Sequence, residues 1–402
     1  MVSNFRVIHL STSHTGGAGI AARRLNSELN SIGFQSFFYA FENDSYICQF
    51  NEFKLKKELR FFLIRVFSTL FAKFTKKTSF FSIYSAPGVS ISWLRQMSKT
   101  QPTIFHIHNW FNLFSFRQLN SIVKSGLPVV FTMHDQRLIT GGCHNTLNCR
   151  QFLSGCTKCP EFKFPMRQLI RSNFRRFFRF FDLRIDNLVI IAPSKYMSKE
   201  VGASATLQSQ ELIFIPNVLG KEFYPLKNLP QLNNTVINNV KDDFVIVGVA
   251  NIDLSDPLKG GDLISELGLR IVQEKLKIKL LFLVDFGVDQ GLDFWNQIDC
   301  LLLPSRAENS PNVIHEAKYF GIPVIATGVG GIPELLMENY DLELNLSSLS
   351  TDEILQAVDK IRSRTPSFQK KIESAKRLSA YSAEWDSRLL TVYHNLLESV
   401  KI

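Results

Sequence analysis

Short apolar runs alternate with amphipathic segments along the first half of the chain. The segment Ala18–Ile32 places Leu25, Leu29 and Ile32 on one face at helical spacing, which predicts a helix. The apolar runs are short and flanked by turn or helix signals, so we predict that they form buried strands. These strands are Phe5–Leu10, Gln35–Ala40, Thr103–Ile107, Pro128–Thr132 and Leu188–Ala192. Continuous apolar strands separated by helices are typical of a parallel sheet covered on both faces.

A polar stretch over residues 225–243, rich in asparagine and proline, separates these runs from a second series. Its composition is that of an interdomain linker. The second series contains the predicted strands Phe244–Val249, Leu280–Val284, Cys300–Leu303 and Pro323–Ala326. The stretch between residues 275 and 299 is short for a full strand–helix–strand unit.

The two series predict two doubly wound, Rossmann-like α/β domains. We expect an N-terminal domain over residues 1–220 and a C-terminal domain over 221–380, followed by a helix over 381–402. An apolar stripe indicates this helix, which we expect to pack back on the N-terminal domain: Trp385, Leu389, Val392, Leu396 and Val400. Because such sheets bind ligands beyond the carboxyl ends of their strands, we expect a site in a cleft that both domains face.

The composition is that of a soluble globular protein, with 45% hydrophobic and 20% charged residues among 402. Residues 7–10 are followed at once by polar residues 11–14, so the start of the chain lacks the apolar region of a signal peptide. The most apolar stretch, residues 61–74, contains Arg65 and Lys73 and is too short to span a bilayer. We therefore predict a cytoplasmic protein without a transmembrane helix.

Two basic segments, Lys54–Lys77 and Lys163–Arg184, account for much of the formal net charge of +10. In the second segment one helical face carries phenylalanines and another carries arginines: Phe174, Phe177, Phe178 and Phe181, and Arg171, Arg175 and Arg179. The phenylalanine face predicts a surface helix that packs on the core. The arginine face suits peripheral contact with the anionic inner face of the cytoplasmic membrane. We expect no nucleic-acid partner, because the aromatic residues do not interleave with the charges.

The most informative stretch runs from residue 303 to residue 317. A strand ends at Leu303, and Ser310 and Pro311 suit the N-cap and the first position of a following helix. The backbone N–H groups of Asn312 and Val313 would then point beyond the strand ends. Such a helix start binds anions and suits a diphosphate.

Two glutamates flank this helix start. Glu308 lies on the loop, where it would face a sugar, and Glu316 lies within two turns of the helix start, within reach of a ribose. Taken singly, a solvated glutamate explains each position as well.

This Glu-x7-Glu run resembles the signature of family 4 glycosyltransferases, which have the GT-B architecture. The residues that follow, 320–327 and 330–334, resemble the strand and glycine turn that continue it in that family. The resemblance implies that Glu308 contacts the donor sugar and that Glu316 holds the ribose hydroxyls. It also implies a nucleotide-diphosphate sugar (NDP-sugar) as donor and transfer with retention of the anomeric configuration.

A glycine loop, Gly16–Gly19, follows the first strand and opens a helix. It resembles the N-terminal glycine loop of the family, so we expect Gly17 to let the backbone approach the donor closely. A tight turn explains these glycines equally well. The landmarks 192–194 and 215–217 also resemble the family pattern.

Histidines follow two neighbouring predicted strands in the segments 106–110 and 132–135. Both segments resemble the cleft-lining histidine segments of the family. We expect His134 to contact the transferring sugar or the acceptor, and His108 and Asp135 to lie on the acceptor side. A lone histidine is more often structural, but two at successive strand ends favour a function.

Positive charge is needed where a diphosphate departs. The family pattern has an arginine after the first strand of the second domain, but residues 248–251 contain none. Lys259 fits the lysine of the pattern, and we expect Arg306, beside Glu308, to replace the missing arginine. The sequence contains no Asp-x-Asp pair for a divalent cation, so we predict catalysis without a metal.

Four cysteines, Cys143, Cys149, Cys156 and Cys159, lie in an insertion over residues 141–160. The Cys-x2-Cys spacing suits a zinc knuckle, and a reducing cytosol favours structural zinc over disulfides. Plain thiols in a loop are the alternative, and His144 is a substitute ligand. Four protein ligands would make the zinc structural rather than catalytic.

The sequence thus predicts a hexosyltransferase-type glycosyltransferase of surface polysaccharide biosynthesis. It would move a sugar from an NDP-sugar to a saccharide or lipid-linked acceptor. Two alternatives remain: a sugar-nucleotide epimerase on the same fold and a zinc-stapled basic binding module.

Overall fold

The computed structural model describes residues 4–40, 89–111, 113–181, 183–219, 244–248, 256–282, 298–363 and 385–400, together with Trp295, Glu373 and Lys376. The chain divides into two compact units, one of residues 1–218 with 384–402 and the other of residues 219–383. The basic segment Lys54–Lys77, the linker stretch 225–243 and residues 249–251 lie outside the described residues.

The first unit is built on a six-stranded parallel sheet with the order β2-β1-β3-β4-β5-β6. Its strands are β1 (Arg6–Ser11), β2 (Gln35–Ala40), β3 (Thr103–Ile107), β4 (Val129–Thr132), β5 (Leu188–Ala192) and β6 (Glu211–Phe214). Its helices are α1 (Gly16–Ser31), α2 (Ile91–Thr100), α3 (Phe116–Lys124), α4 (Met166–Phe181), α5 (Lys195–Ala203) and the C-terminal α9 (Trp385–Val400).

Both faces of this sheet are covered. Alternate residues of the central strands, such as Ile8 and Phe105, pack with α2, α3, α4 and α5, and the intervening residues, such as Val7 and Ile104, pack with α1 and α9. Burial on both faces explains why these strands read as continuous apolar runs.

The helix α4 separates its two kinds of side chain as the sequence predicts. Phe174, Phe177 and Phe181 are buried in the core, whereas Arg175 and Arg179 are exposed. The helix therefore packs its phenylalanine face on the sheet and presents its arginines to solvent.

The second unit is built on a five-stranded parallel sheet with the order β11-β10-β9-β7-β8. Its strands are β7 (Phe244–Gly248), β8 (Ile278–Phe282), β9 (Cys300–Leu303), β10 (Val324–Thr327) and β11 (Leu342–Leu344). Its helices are α6 (Gly261–Gln273), α7 (Asn312–Tyr319) and α8 (Thr351–Ser363). Helix α7 packs on one face of the sheet, and α6 and α8 pack on the other.

The differences from the predicted strands occur mostly at the sheet edges. β8 begins at Ile278, two residues earlier than predicted, and includes the exposed Lys279. β6 and β11 are edge strands that the pattern does not predict. An edge strand buries fewer of its residues, so its hydrophobic signal is weaker. None of the described helices is both long and apolar enough to cross a bilayer.

A buried ion pair fixes the end of α7 to the segment before β11. The ammonium of Lys318 donates to Asp341, and Lys318 and Asp341 are only 3% and 7% exposed. The carboxylate of Asp341 also accepts from the backbone N–H of Val324 at 2.8 Å and that of Met337 at 2.6 Å. This network holds α7 against the strand that follows it.

We expect Lys318→Met to destabilise the second unit, because it leaves the buried Asp341 carboxylate without its cation. Removing one partner of a buried pair costs about 3–5 kcal/mol of unfolding free energy. Lys360→Met, on the exposed face of α8, is the matched control and should cost less than about 0.5 kcal/mol. Urea denaturation followed by circular dichroism measures both, and an equal midpoint for both variants would refute the assignment.

Candidate active site

The loop after β9 leaves the second sheet where its strand order reverses. The chain runs from β7 to β8 on one side and then crosses to β9 on the other side of β7. Loops on either side of such a switch point diverge and leave a crevice beyond the carboxyl ends of the strands. The loop over residues 304–311 borders this crevice and carries Glu308.

Glu308 and Lys259 meet at this point. The Lys259 ammonium Nζ lies 2.5 Å from Glu308 Oε1, and the Ser305 hydroxyl donates to the same oxygen at 3.1 Å. The Glu308 side chain is only 11% exposed and that of Lys259 is 30% exposed. The two residues are 49 positions apart in sequence, so the tertiary fold places a carboxylate and a cation side by side.

Lys259 is positioned by the turn Pro257–Lys259, which precedes α6. The Asp256 carboxylate caps this turn by accepting from the backbone N–H of Leu258 at 2.9 Å. Gly260 follows with a positive φ of 72°, and a Cβ there would lie 2.4 Å from the carbonyl oxygen of Pro304. The turn and the Glu308 loop can approach this closely only because residue 260 is glycine.

Gly330 sets the other side of the Glu308 loop. Its φ is 58°, and a Cβ would lie 1.7 Å from the carbonyl oxygen of Glu308. No larger residue fits there without moving the backbone that carries the carboxylate. The glycine turn after β10 therefore holds the loop after β9 in place.

Arg306 is held by other groups. Its guanidinium forms a bidentate pair with Asp262 at 2.7 Å for both bonds and also donates to the carbonyl of Pro257. The hydrogen bonds to Asp262 raise the pKa of Arg306, and those from Arg306 lower the pKa of Asp262. Arg306 thus braces the turn that carries Lys259, and its charge is largely balanced by Asp262.

The helix start beside Glu308 differs by one residue from the prediction. Pro311, not Ser310, is the N-cap, with an extended backbone, and no side chain caps the helix. Asn312 and Val313 are the first two helical residues, so their N–H groups lie at the start of the helix. Glu316 lies on the next turn and is half-buried.

In the first unit, histidines gather at the corresponding switch point, between β1 and β3. His9 on β1 pairs in register with His106 on β3, and His108 follows β3 directly. The ring nitrogens of His108 lie 3.0 Å from His9 Nδ1 and 3.1 Å from His134 Nε2. His106 is hydrogen-bonded instead to Thr132 Oγ1 and to the hydroxyl of Tyr393, both at 2.7 Å.

A cavity of about 30 Å³ lies beside these rings. His106, His108 and His134 line it, together with residues of α1, β5, the segment 215–218 and α9. Burial lowers the pKa of His9 to about 3 and that of His134 to about 4, and it lowers the pKa of His106 and His108 as well. All four imidazoles are therefore neutral near pH 7.

Asp135 is paired next to His134. Burial raises its pKa, but the neighbouring Arg137 more than offsets this, so the pKa of Asp135 is lowered. The Arg137 side chain donates to the carboxylate, and its backbone N–H donates to Asp135 Oδ1 at 2.9 Å. Arg137 also donates to Asn109 Oδ1 at 3.1 Å, which links the loops after β3 and β4.

Gly17 is the second residue of α1. A Cβ at Gly17 would meet nothing within 4 Å, whereas one at Gly19 would lie 2.5 Å from the carbonyl oxygen of Ser13. Packing therefore requires glycine at 19 rather than at 17.

The four cysteines of the insertion are near one another. Cys156 and Cys159 are buried, and burial raises the pKa of Cys156 to about 12 and that of Cys159. The neighbouring cysteines also raise the pKa of Cys156, of Cys159 and of Cys143. Backbone N–H groups oppose the shift by donating to two of the sulfurs, from Gly141 to Cys156 and from Glu161 and Phe162 to Cys159.

Potential metal ligands are atoms of histidine, cysteine, aspartate and glutamate side chains that lie close together. Among the described residues, one group of three has all its ligand atoms within 4.8 Å of one another: His9, His106 and His108. No three of the four cysteine sulfurs all lie within 4.8 Å of one another.

Sequence reasoning missed three residues that these clusters depend on. His9 is hidden in the apolar run of β1, and Arg137 has no motif that points to its partner. Tyr393 lies on the buried side of the last helix, 287 positions from His106. The available signal was His9 itself, a polar residue between the apolar Ile8 and Leu10 of β1.

Two curated relatives of the chain are named for the biosynthesis of colanic acid and of Vi polysaccharide. A protein named putative colanic acid biosynthesis glycosyl transferase WcaC, from Escherichia coli K12, is 27% identical over 285 residues, which are 64% of this chain and 69% of that protein. The Vi polysaccharide biosynthesis protein VipC/TviE of Salmonella typhi is 37% identical over 79 residues, or 19% of this chain and 13% of that protein.

Solved structures share the fold at low sequence identity. Sucrose-phosphate synthase from Thermosynechococcus elongatus has a TM-score of 0.59 at 11% identity and covers 98% of this chain and 99% of its own. The HepE protein of Anabaena, in complex with UDP-glucose, has a TM-score of 0.51 at 15% identity with the same coverage of both chains. These likenesses extend over nearly the whole of each chain, so the predicted α/β fold class with parallel sheets is confirmed.

Two family descriptions cover most of the chain. Residues 223–363 match the description "Glycosyl transferases group 1", and residues 15–219, which are just over half of the 402 residues, match "Glycosyltransferase Family 4". The first match contains Lys259, Glu308 and Glu316, and the second contains His106, His108, His134 and the cysteine insertion. The resemblance seen in the sequence is confirmed, and the chain belongs to glycosyltransferase family 4.

Proposed function

We propose that this glycosyltransferase moves a hexosyl unit from an NDP-sugar to a saccharide or lipid-linked acceptor in the biosynthesis of a surface polysaccharide. The observation that carries the proposal is the meeting of Lys259 and Glu308 at the switch point of the second sheet. A cation there balances the charge that develops on a departing diphosphate, and a carboxylate beside it binds sugar hydroxyls. The UDP-glucose complex of HepE and the names of the polysaccharide relatives support this substrate class.

Each residue of the second unit has a role in this proposal. Lys259 neutralises the diphosphate, and the N–H groups of Asn312 and Val313 at the start of α7 bind its oxygens. Glu308 holds the donor sugar, and Glu316 holds the ribose. Arg306 acts indirectly, because its pairing with Asp262 braces the turn that carries Lys259. With these donors the reaction needs no catalytic metal.

The first unit supplies the remaining groups. His134 contacts the transferring sugar or the acceptor, with His108 and Asp135 behind it on the acceptor side, and Gly17 lets α1 approach the donor. We infer transfer with retention of configuration, as the Glu-x7-Glu pattern implies. None of these roles requires an ionised histidine, which agrees with the lowered pKa of His134.

We also propose that the four cysteines hold a structural zinc ion. Backbone N–H groups donate to Cys156 and to Cys159, and such bonds favour the thiolate that zinc requires. When bound, the metal would tie the insertion over residues 141–160 together and take no part in the chemistry.

The exposed face of α4 suits contact with an anionic membrane on the cytoplasmic side. Arg175, Arg176 and Arg179 are exposed there. Phe164 before the helix and Leu183 after it are each 79% exposed. Basic residues attract anionic headgroups, and apolar side chains at both ends can enter the interface. A lipid-linked acceptor would be met at such a surface.

The role of the ion pair is tested by Lys259→Met and Glu308→Gln. We expect each to lower kcat by about 100-fold or more, because each removes a charge that acts in the transition state. Glu308→Gln should leave binding of UDP or GDP nearly unchanged in calorimetry, whereas Lys259→Met should weaken it.

Glu338→Gln, an exposed change of the same chemistry in the second unit, is the control for that experiment. Full activity of Glu308→Gln would refute the proposed role. Absence of binding by any nucleoside diphosphate, together with salt-sensitive binding of nucleic acid, would favour the basic binding module instead. Net epimerisation of the sugar nucleotide would favour the epimerase.

Zinc is tested by measuring the metal content of protein purified without chelators. We expect about one zinc per chain and its loss in Cys156→Ser/Cys159→Ser, since a structural site needs all four ligands. Cys300→Ala, at a buried cysteine of the second unit, should keep the metal. Equal zinc content in the wild type and the double variant would rule the site out.

Membrane contact is tested by sedimentation with vesicles. We expect binding to phosphatidylglycerol vesicles and not to phosphatidylcholine vesicles, and Arg175→Glu/Arg179→Glu should weaken it at least about 30-fold, since each basic residue contributes about 1 kcal/mol. Lys360→Glu/Arg362→Glu makes the same charge change on exposed positions of α8. If both double variants bind equally weakly, net charge and not the face of α4 is responsible.

A further inference from the structure

Three histidines of the first unit are joined in series by their ring nitrogens. His9 Nδ1 lies 3.0 Å from His108 Nε2, and His108 Nδ1 lies 3.1 Å from His134 Nε2. Each ring uses a different nitrogen for each neighbour, so the three imidazoles form a hydrogen-bonded chain. It begins on β1 inside the protein and ends at the cavity that His134 lines.

The surrounding structure keeps this chain in one geometry. His9 is fully buried and His108 is 4% exposed. His106 stacks on His108 with ring centroids 4.2 Å apart and planes within 24°. Both nitrogens of His106 are already bonded, to Thr132 and to Tyr393, so His106 orients the His108 ring without joining the chain.

The protonation state of the three imidazoles limits the directions that the hydrogen bonds between them can take. Burial lowers the pKa of all three histidines, and among nearby charges only Asp135 raises that of His134. A neutral imidazole has one donor and one acceptor nitrogen. In a series of neutral rings every N–H must therefore point in the same direction, toward His134 or toward His9.

The inner end of the chain decides between the two directions. His9 Nε2 is buried and has no hydrogen-bond partner. A proton on this nitrogen would leave a buried N–H without an acceptor, which is rarer and less favourable than an unused lone pair. The proton of His9 therefore lies on Nδ1 and points to His108.

We propose that His9 and His108 are positioning residues that hold His134 in the tautomer with its proton on Nδ1. His9 donates to His108 Nε2, and His108 donates from Nδ1 to His134 Nε2. The Nε2 atom of His134 is then the acceptor of the chain, and Nδ1 is left as a hydrogen-bond donor. The structure gives no protein partner for Nδ1 among the described residues.

This ordering makes His134 a donor to an oxygen rather than a general base. The inference rests on the proposed function, in which the oxygen belongs to a hydroxyl of the sugar or acceptor. A neutral donor of fixed direction binds such an oxygen without the cost of desolvating a charge. The same histidines could instead be read as a metal site, but both nitrogens of His106 and of His108 already have partners at 2.7–3.1 Å.

The tautomers can be read directly by NMR of protein labelled with ¹⁵N-histidine, because protonated and unprotonated imidazole nitrogens have well-separated shifts. At pH 7 we expect the His134 signals of a ring protonated on Nδ1. His108→Phe keeps a ring for stacking and removes the bond, so the His134 signals should move to a mixture of tautomers. His108→Asn places an amide nitrogen near the Nδ1 position and should restore the wild-type pattern.

Tyr393→Phe is the matched control, because it removes the partner of His106 without touching the chain. It should leave the His134 tautomer unchanged. In transfer assays His108→Phe should lower kcat about tenfold with unchanged nucleotide affinity, and His108→Asn should recover most of it, the loss being that of one hydrogen bond.

A His134 proton on Nε2 in the wild type would overturn the proposal, as would unchanged His134 signals in His108→Phe. A bound metal that is lost in His9→Phe but kept in Cys156→Ser/Cys159→Ser would also overturn it in favour of a metal site. The wild-type spectrum and His108→Asn keep the test decisive if His108→Phe does not fold. Because the spectra need no substrate, expected tautomers without NDP-sugar binding would refute the proposed function alone.

Discussion

Parallel strand pairing with one reversal of strand order in each sheet is the constraint on which the rest of this structure depends. All carboxyl ends of a parallel sheet lie at one edge, and the loops separate where the order reverses. In the first unit this point lies between β1 and β3 and carries the histidines. In the second it lies between β7 and β9 and carries Lys259 and Glu308. The strand pairing of each sheet thus determines where the candidate functional side chains of that unit lie.

Close backbone contacts then fix the loops that leave these edges. Gly260 and Gly330 allow the turn before α6 and the turn after β10 to touch the loop of Glu308 on two sides. Arg306 adds a bidentate pair with Asp262, and Lys318 ties α7 to Asp341. These contacts leave little freedom to a loop that has no regular structure of its own. The carboxylate is therefore positioned by its neighbours rather than by its own segment.

Low dielectric has a different consequence in each unit. In the first unit burial lowers the pKa values of the histidines, which stay neutral and bond to one another. In the second unit Lys259 and Glu308 form an ion pair at the edge of the sheet, with side chains that are 30% and 11% exposed. The proposed transfer would use both kinds of group, since binding a neutral sugar needs directed hydrogen bonds and a diphosphate needs compensating charge.

The sequence by itself determined the family, the two α/β series and most central strands, because a strand buried on both faces is nearly continuously apolar, as in Leu188–Ala192. It also showed Glu308, Lys259 and His134 as candidates, because glycine and proline signals mark the strand ends where they lie. Only the tertiary structure decided that Lys259 meets Glu308, that Arg306 turns to Asp262, and that His9 joins the histidines. Such pairings join segments that are far apart in sequence. They depend on the order of the strands in the sheet and on the direction of each side chain, and a local sequence pattern specifies neither.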